Sequence, residues 1–216
     1  MNFKAIFFDL DGTLLNTITD LHAACNYALK KHNYKEVTLE EVRLAVGNGI
    51  RKLIERVVPA NLSKEEVDVV FNDFTIYYKA HVDVLTYPYP NIIKLLEETK
   101  KLGIINVIIS NKFIEGVDAL YNKFFRGLVD LALGPSDVFK PKPDLSMVNF
   151  AIEKYNLKKE EILYVGDSGV DINTADLAGL KMITVSWGFR SKEELMTVKE
   201  NLVFVDDALE ILDYLK

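Results

Sequence analysis

The chain has 216 residues, 27% of them charged and 49% hydrophobic, with a formal net charge of −6. At roughly 150 residues per domain this is one large domain or two small ones, and the mixture excludes a disordered chain. One cysteine and three histidines exclude a disulfide scaffold and a Cys- or His-rich metal site, and fit a reducing compartment. The acidic balance argues against nucleic acid as a partner. The longest apolar runs fall far short of the ~18 residues of a membrane span, and Asp9 arrives too early for a signal peptide. The expectation is a soluble, cytoplasmic protein, a monomer or small homo-oligomer, bound to neither nucleic acid nor membrane.

In chain order, short β-rich runs cover residues 5–8, 104–109, 131–133, 162–165, 182–185 and 202–205. They are continuously apolar, as strands covered on both faces are. Amphipathic stretches at 91–101, 115–123, 144–155 and 170–178 alternate with them. Strand-helix alternation at this spacing predicts an α/β fold: a doubly wound parallel sheet with crossover helices. One interval breaks the rhythm. Between residues 16 and 82 only helical patterns occur, at 17–32, 39–56 and 63–79, and Thr38 with Glu41 and Ser63 with Glu66 have the spacing of capping boxes. The expected organisation is a core of residues 1–15 and 83–216 with a helical domain, residues 16–82, inserted into it. Tyr87-Pro88-Tyr89-Pro90 marks the return, since each proline turns its predecessor away from helix. Cys25 falls among Leu21, Ala28 and Leu29 at helical spacing, which predicts core packing. His22, His32 and His81 read as surface or partly packed residues, and Lys112 as a surface or rim lysine.

Ligands of an open parallel sheet bind beyond the carboxyl ends of its strands. The first strand ends in Asp9-Leu10-Asp11-Gly12-Thr13, the second in Ser110-Asn111-Lys112, and a later one in Gly166-Asp167-Ser168 with Asp171 following. Lys140-Pro141-Lys142-Pro143 precedes that last strand, and Lys140 is the expected cation of the site. Asp9, Asp11, Asp167 and Asp171 in one pocket repel one another, and one lysine does not offset them. A divalent cation would, and an all-oxygen set suits Mg²⁺. Such a centre attracts a phosphate ester. No GxxxxGK[ST] loop is present, and three histidines support no Ser-His-Asp arrangement. The nucleophile is therefore expected to be Asp9, an ionised carboxylate beside the metal. Asp11 is placed to act on the leaving oxygen and then on water.

These residues resemble the haloacid dehalogenase superfamily of phosphotransferases. Asp9-Leu10-Asp11-Gly12-Thr13 matches its DxDGT motif, Ser110 the second motif, Lys140 the third, and Gly166-Asp167-Ser168-Gly169-Val170-Asp171 the GDxxxD fourth. The insert resembles the family's helical C1 cap. Val46-Gly47-Asn48-Gly49, Phe139-Lys140-Pro141-Lys142-Pro143 and Ser186-Trp187-Gly188-Phe189-Arg190-Ser191 resemble the phosphoglycolate phosphatase group, while Asn16 departs from the aspartate of many relatives.

The resemblance implies Asp9 as nucleophile and metal ligand and Asp11 as general acid/base with its main-chain carbonyl on Mg²⁺. It implies Ser110, the Asn111 amide and Lys140 as holders of the phosphoryl oxygens, and Asp167 as a metal ligand. Asp171 completes the acidic set, orienting Lys140 or a metal-bound water. The expected activity is Mg²⁺-dependent hydrolysis of a small phosphorylated metabolite through an aspartyl-phosphate, with phosphoglycolate the leading substrate. A sugar-phosphate mutase or pyrophosphatase of the same superfamily and a phospho-accepting receiver-type signalling domain are the alternatives. Discrimination would come from the insert, where Gly49 lets backbone approach a ligand and Arg51 offers a fork for a carboxylate.

Overall fold

The computed structural model describes residues 3–47 and 49–215. The chain divides into two compact units, one of Met1–Asn16 with Pro88–Lys216 and one of Thr17–Tyr87.

The larger unit is built on strands β1 (Ala5–Phe8), β4 (Ile105–Ile109), β5 (Leu131–Leu133), β6 (Ile162–Gly166), β7 (Lys181–Val185) and β8 (Phe204–Val205). They form one sheet in the order β5-β4-β1-β6-β7-β8, and every neighbouring pair is parallel. The helices between strands are α5 (Ile92–Lys101), α6 (Ile114–Leu120), α7 (Ser146–Tyr155), α8 (Gly169–Ala178) and α9 (Lys192–Met196). Two-residue strands β2 (Leu15–Asn16) and β3 (Tyr87–Pro88) pair separately.

All four residues of β1 are fully buried, because helices cover both faces of a parallel sheet. Phe7, Val107, Ile109 and Tyr164 pack with Met147, Ala151 and Ala175 on one side. Each large apolar side chain buried this way contributes about 1.5–3 kcal/mol. The strand order turns at β1, which has β4 on one side and β6 on the other. That is the switch point where an open sheet leaves a crevice at its carboxyl edge, and the loops after β1, β4 and β6 meet there.

The smaller unit holds α1 (Ile18–Lys31), α2 (Leu39–Ala45), α3 (Ile50–Val57) and α4 (Lys64–Ala80). Capping boxes at Thr38–Glu41 and Ser63–Glu66 start α2 and α4. The expected single helix over residues 39–56 is two, because Gly47 (φ +123°) and Gly49 (φ +82°) take conformations that end one helix and open the next. The unit runs on to Tyr87 rather than ending at residue 82. The buried Asp20 carboxylate holds the segment, accepting from the Leu85 N–H at 2.9 Å and from the Thr86 N–H and hydroxyl at 2.8 Å each. Cys25 is fully buried, as its helical neighbours predict, and burial pushes its thiol up to about 12. His22 bonds the Val37 carbonyl, His32 bonds Asp73 and His81 bonds the Tyr77 carbonyl, all partly buried. Among the described residues no helix is long and apolar enough to cross a membrane.

Candidate active site

Asp9 is the first residue beyond β1, and its N–H donates to the Val165 carbonyl of β6 at 2.9 Å. The chain then doubles back, with the N–H groups of Leu14 and Leu15 both bonded to the Leu10 carbonyl at 3.0 Å. Gly12, at φ +91°, makes this turn possible. A β-carbon there would also lie 2.3 Å from Asp167 Oδ2, so Gly12 serves both the turn and the approach of Asp167. The Thr13 hydroxyl donates to Asp167 Oδ1 at 3.2 Å.

Asp167 follows β6 and is 1% exposed. Its other oxygen accepts from the Phe189 N–H at 2.7 Å. Gly188 makes room for this loop, since a β-carbon there would fall 2.2 Å from Asp167 Cβ. Trp187, next in the same loop, donates its indole N–H to the Thr13 carbonyl at 3.0 Å. Asp171 sits at the third position of α8, where its carboxylate closes a capping box with Ser168. Its Oδ2 accepts from the Ser168 N–H at 3.1 Å and hydroxyl at 2.5 Å. Its Oδ1 accepts from the Tyr164 hydroxyl at 3.1 Å and from Lys142 at 2.7 Å. Four donors use the acceptor capacity of a carboxylate. Asp171 is thus fitted to hold Lys142 in place.

The lysine of the site is Lys142. Its ammonium lies 2.7 Å from both Asp9 Oδ1 and Asp171 Oδ1, with the side chain 2% exposed. Lys140, the expected cation, is exposed. The reason is a tertiary contact. Side chains two residues apart in an extended segment share a face, so alternation along the chain does not by itself choose between them. The choice comes from Asn111, whose Oδ1 accepts from the Lys142 N–H at 2.6 Å and whose Nδ2 donates to the Lys142 carbonyl at 3.1 Å. Lys140 instead donates its N–H to the Ser146 hydroxyl at 3.1 Å.

Ser110, 1% exposed, ends β4. Its hydroxyl accepts from the Lys112 N–H at 3.1 Å. Lys112 is not a rim residue: it is 4% exposed, and its ammonium donates to Asp11 Oδ1 at 3.0 Å. Nothing in its immediate sequence signals a partner so far back in the chain.

The electrostatics follow from crowding. Oxygens of Asp9, Asp167 and Asp171 all lie within 4.8 Å of one another. Burial first, and then the Asp171 charge, push the Asp9 carboxyl well above the usual carboxylate range, with Lys142 pulling the other way. Burial and Asp171 likewise raise Asp167 to about 7. Burial opposes the Lys142 charge, yet Asp171 and Asp9 hold its pKa well above the ordinary value. Carboxylates that resist ionisation beside a fixed lysine lack one more positive charge. The donors are all oxygens, which fits Mg²⁺.

Arg51 is committed within its own helices: Nε donates to Glu55 at 3.0 Å, another guanidinium nitrogen bonds Asp68, and the group lies 5.2 Å over the Phe71 ring. Two of its five N–H donors are thus engaged inside the smaller unit. Gly49 caps α3, and a β-carbon on it would meet no described atom within 4 Å. Asn48 lies outside the described residues.

The family model of haloacid dehalogenase-like hydrolases matches residues 6–185. Over 216 residues the chain is 28% identical to the N-acetylmuramic acid 6-phosphate phosphatase of Pseudomonas aeruginosa, covering 100% of this chain and 96% of that one. It is 30% identical to a phosphoglycolate phosphatase of Haemophilus influenzae, covering 99% and 98%. A solved structure from Lactobacillus delbrueckii subsp. bulgaricus, provisionally named a phosphoglycolate phosphatase, superimposes with a TM-score of 0.94 at 30% identity, covering 100% and 99%. The acids that follow β1 and β6, the buried lysine between them and this match over most of the length agree: the chain belongs to the haloacid dehalogenase-like hydrolase family.

Proposed function

We propose that the protein hydrolyses a small phosphomonoester through a phosphoryl-enzyme on Asp9. The observation that carries this reading is that Asp9 and Asp11, two residues apart at the end of the central strand, are held by different lysines, Lys142 and Lys112. Two carboxylates fixed separately can take separate roles. Asp9 attacks phosphorus, and Asp11 gives its proton to the leaving oxygen. Asp11 then takes a proton from the water that releases phosphate from Asp9. Lys142 and the Ser110 hydroxyl, both buried, hold phosphoryl oxygens as charge builds on them. Asp9, Asp167 and the Asp11 main-chain carbonyl would hold Mg²⁺, which supplies positive charge to the phosphoryl oxygens when bound. A receiver-type module is disfavoured, because the acidic pair here follows β1.

Phosphoglycolate is the leading substrate. The two substrates named for the relatives, phosphoglycolate and N-acetylmuramic acid 6-phosphate, both join a carboxylate to a primary phosphate ester. The test is phosphate release from a panel containing both, with Mg²⁺ and with EDTA. Turnover that needs Mg²⁺ and favours phosphoglycolate supports the proposal. Turnover unaffected by EDTA, or absent on every monoester, overturns it.

A further inference from the structure

The Asp11–Lys112 pair joins the loops that follow two neighbouring strands. β1 and β4 are parallel neighbours with Phe8 beside Ile108, so the loops that follow them run side by side. The Lys112 side chain is 2% exposed and that of Asp11 20%. A buried ammonium is costly unless a partner answers it, and an apolar residue would fill the space at lower cost. The lysine is presented by the turn that the Ser110 hydroxyl holds through the Lys112 N–H at 3.1 Å. Its ammonium reaches Asp11 Oδ1 at 3.0 Å.

We propose that Lys112 is a positioning residue for proton transfer: by holding Oδ1 it leaves Oδ2 of Asp11 as the oxygen that serves the leaving group. This rests on the reading of Asp11 given above. As Asp9 bonds to phosphorus and the ester P–O bond breaks, the leaving oxygen takes the proton from Oδ2. Asp11 is left as a carboxylate against the Lys112 ammonium. A carboxyl group free to rotate would present the wrong oxygen much of the time, and misplacement of a catalytic group is costly in rate.

The consequence is a dependence on the leaving group that a merely structural lysine would not produce. An alkoxide needs the proton, whereas dinitrophenolate departs without it. The quantity to measure is kcat/KM, which reports the steps through release of the leaving group, for Lys112→Met, Asp11→Asn and the double variant. The substrates are ethyl phosphate and dinitrophenyl phosphate. Lys112→Met should lose about ten- to a hundredfold on ethyl phosphate, part of the ~10²–10⁴ of general acid catalysis. It should stay within about threefold on dinitrophenyl phosphate, which also shows that the variant is folded. Added to Asp11→Asn, it should cost nothing further on ethyl phosphate.

Equal losses on both substrates would make Lys112 structural. A full additional loss in the Asp11→Asn background would mean that it acts apart from Asp11. Either result overturns the proposal while leaving the wider mechanism standing. If Asp11→Asn itself fails to discriminate between the substrates, the acid role of Asp11 fails, and this inference falls with it.

Discussion

The side-chain amide of Asn111 closes on the backbone of Lys142 from both sides, accepting from its N–H at 2.6 Å and donating to its carbonyl at 3.1 Å. An amide matched to an amide fixes both position and orientation. It turns a residue at the end of β4 into the support for a lysine from a distant loop. Asn111 is thus tied to the site by its side chain, and its expected contribution through a backbone amide is a separate matter. Asn111→Ala should free the turn at residues 140–143 and let the Lys142 ammonium leave its bridge. Two partly buried hydrogen bonds at about 1 kcal/mol each correspond to roughly a thirtyfold loss in kcat/KM. Steady-state kinetics on the best monoester would check this, and a change below about twofold would show that the lysine holds its place unaided.

Lys142→Met and Lys140→Met separate two lysines in the same Lys-Pro setting. The first removes the ammonium between Asp9 and Asp171 and should cost about 10²–10³ in kcat. It should also lower the melting temperature, since two buried carboxylates lose their partner. The second alters an exposed side chain and should leave turnover and melting nearly unchanged. Reversed effects would mean that the loop presents Lys140 in the working enzyme.

How far these positions can be read without a structure differs from residue to residue. The strands of the core are legible because residues 5–8 and 162–165 are continuous apolar runs, with Asp9 directly after the first and Asp167 one glycine after the second. Asp171 is legible as one of the acids after that run, whereas its capping box with Ser168 is seen in the structure. Lys142 is not legible, because Lys140 and Lys142 share identical local chemistry and the choice is made by Asn111, far away in the chain. Lys112 is hidden for the same reason, with its partner Asp11 on another strand. The break between α2 and α3 is missed because apolar spacing continues across it, while the glycines that end the helix act through φ. The pairing of Arg51 in α3 with Glu55 and Asp68 is a further contact that the sequence does not announce.

Asp9→Asn should abolish turnover, because an amide is a poor nucleophile and a poorer metal ligand. It also takes away one of the two carboxylates that hold Lys142. Phosphate release on the best substrate is the measurement. Retention of about a tenth of the activity would point to direct attack by water instead of a phosphoryl-enzyme.

The pH dependence of metal-free stability follows from Asp167. Its carboxyl is raised from the usual 3.8 to about 7 by burial and by Asp171. Between those values the folded protein holds a proton that the unfolded chain has lost. Folding therefore takes up protons, and stability falls as pH rises through this window. The contribution is fully present below about pH 4 and gone above about pH 7. A cation that binds the ionised carboxylates restores what is lost. The increase in melting temperature on adding Mg²⁺ should accordingly be larger at about pH 8 than at about pH 5.5, on opposite sides of the Asp167 transition. A Mg²⁺ effect independent of pH would remove Asp167 from the cation site.

Gly188→Ala tests the loop after β7 as part of the site. Gly12 also approaches Asp167, but its positive φ would confuse the result with backbone strain. Gly188 has no such φ, so its lack of a side chain answers a need for space alone. A β-carbon there would sit 2.2 Å from Asp167 Cβ and 2.5 Å from Oδ2. Asp167 Cβ is fixed to the backbone that follows β6, and its Oδ2 is bonded to the Phe189 N–H at 2.7 Å. Neither can move without displacing the other. Overpacking of this kind costs about 1–3 kcal/mol, small enough for the sheet to survive. Asp167, however, would be driven from its place beside Asp9. Gly188→Ala should remain folded, require about tenfold or more Mg²⁺ for half-maximal activity, and lose at least that much in kcat, since misplaced catalytic groups are costly. A Mg²⁺ titration of activity, with a melting curve as the control for folding, reads both effects. A variant with the parent's Mg²⁺ response would show that the loop yields first, and that the Phe189 N–H does not fix the position of Asp167.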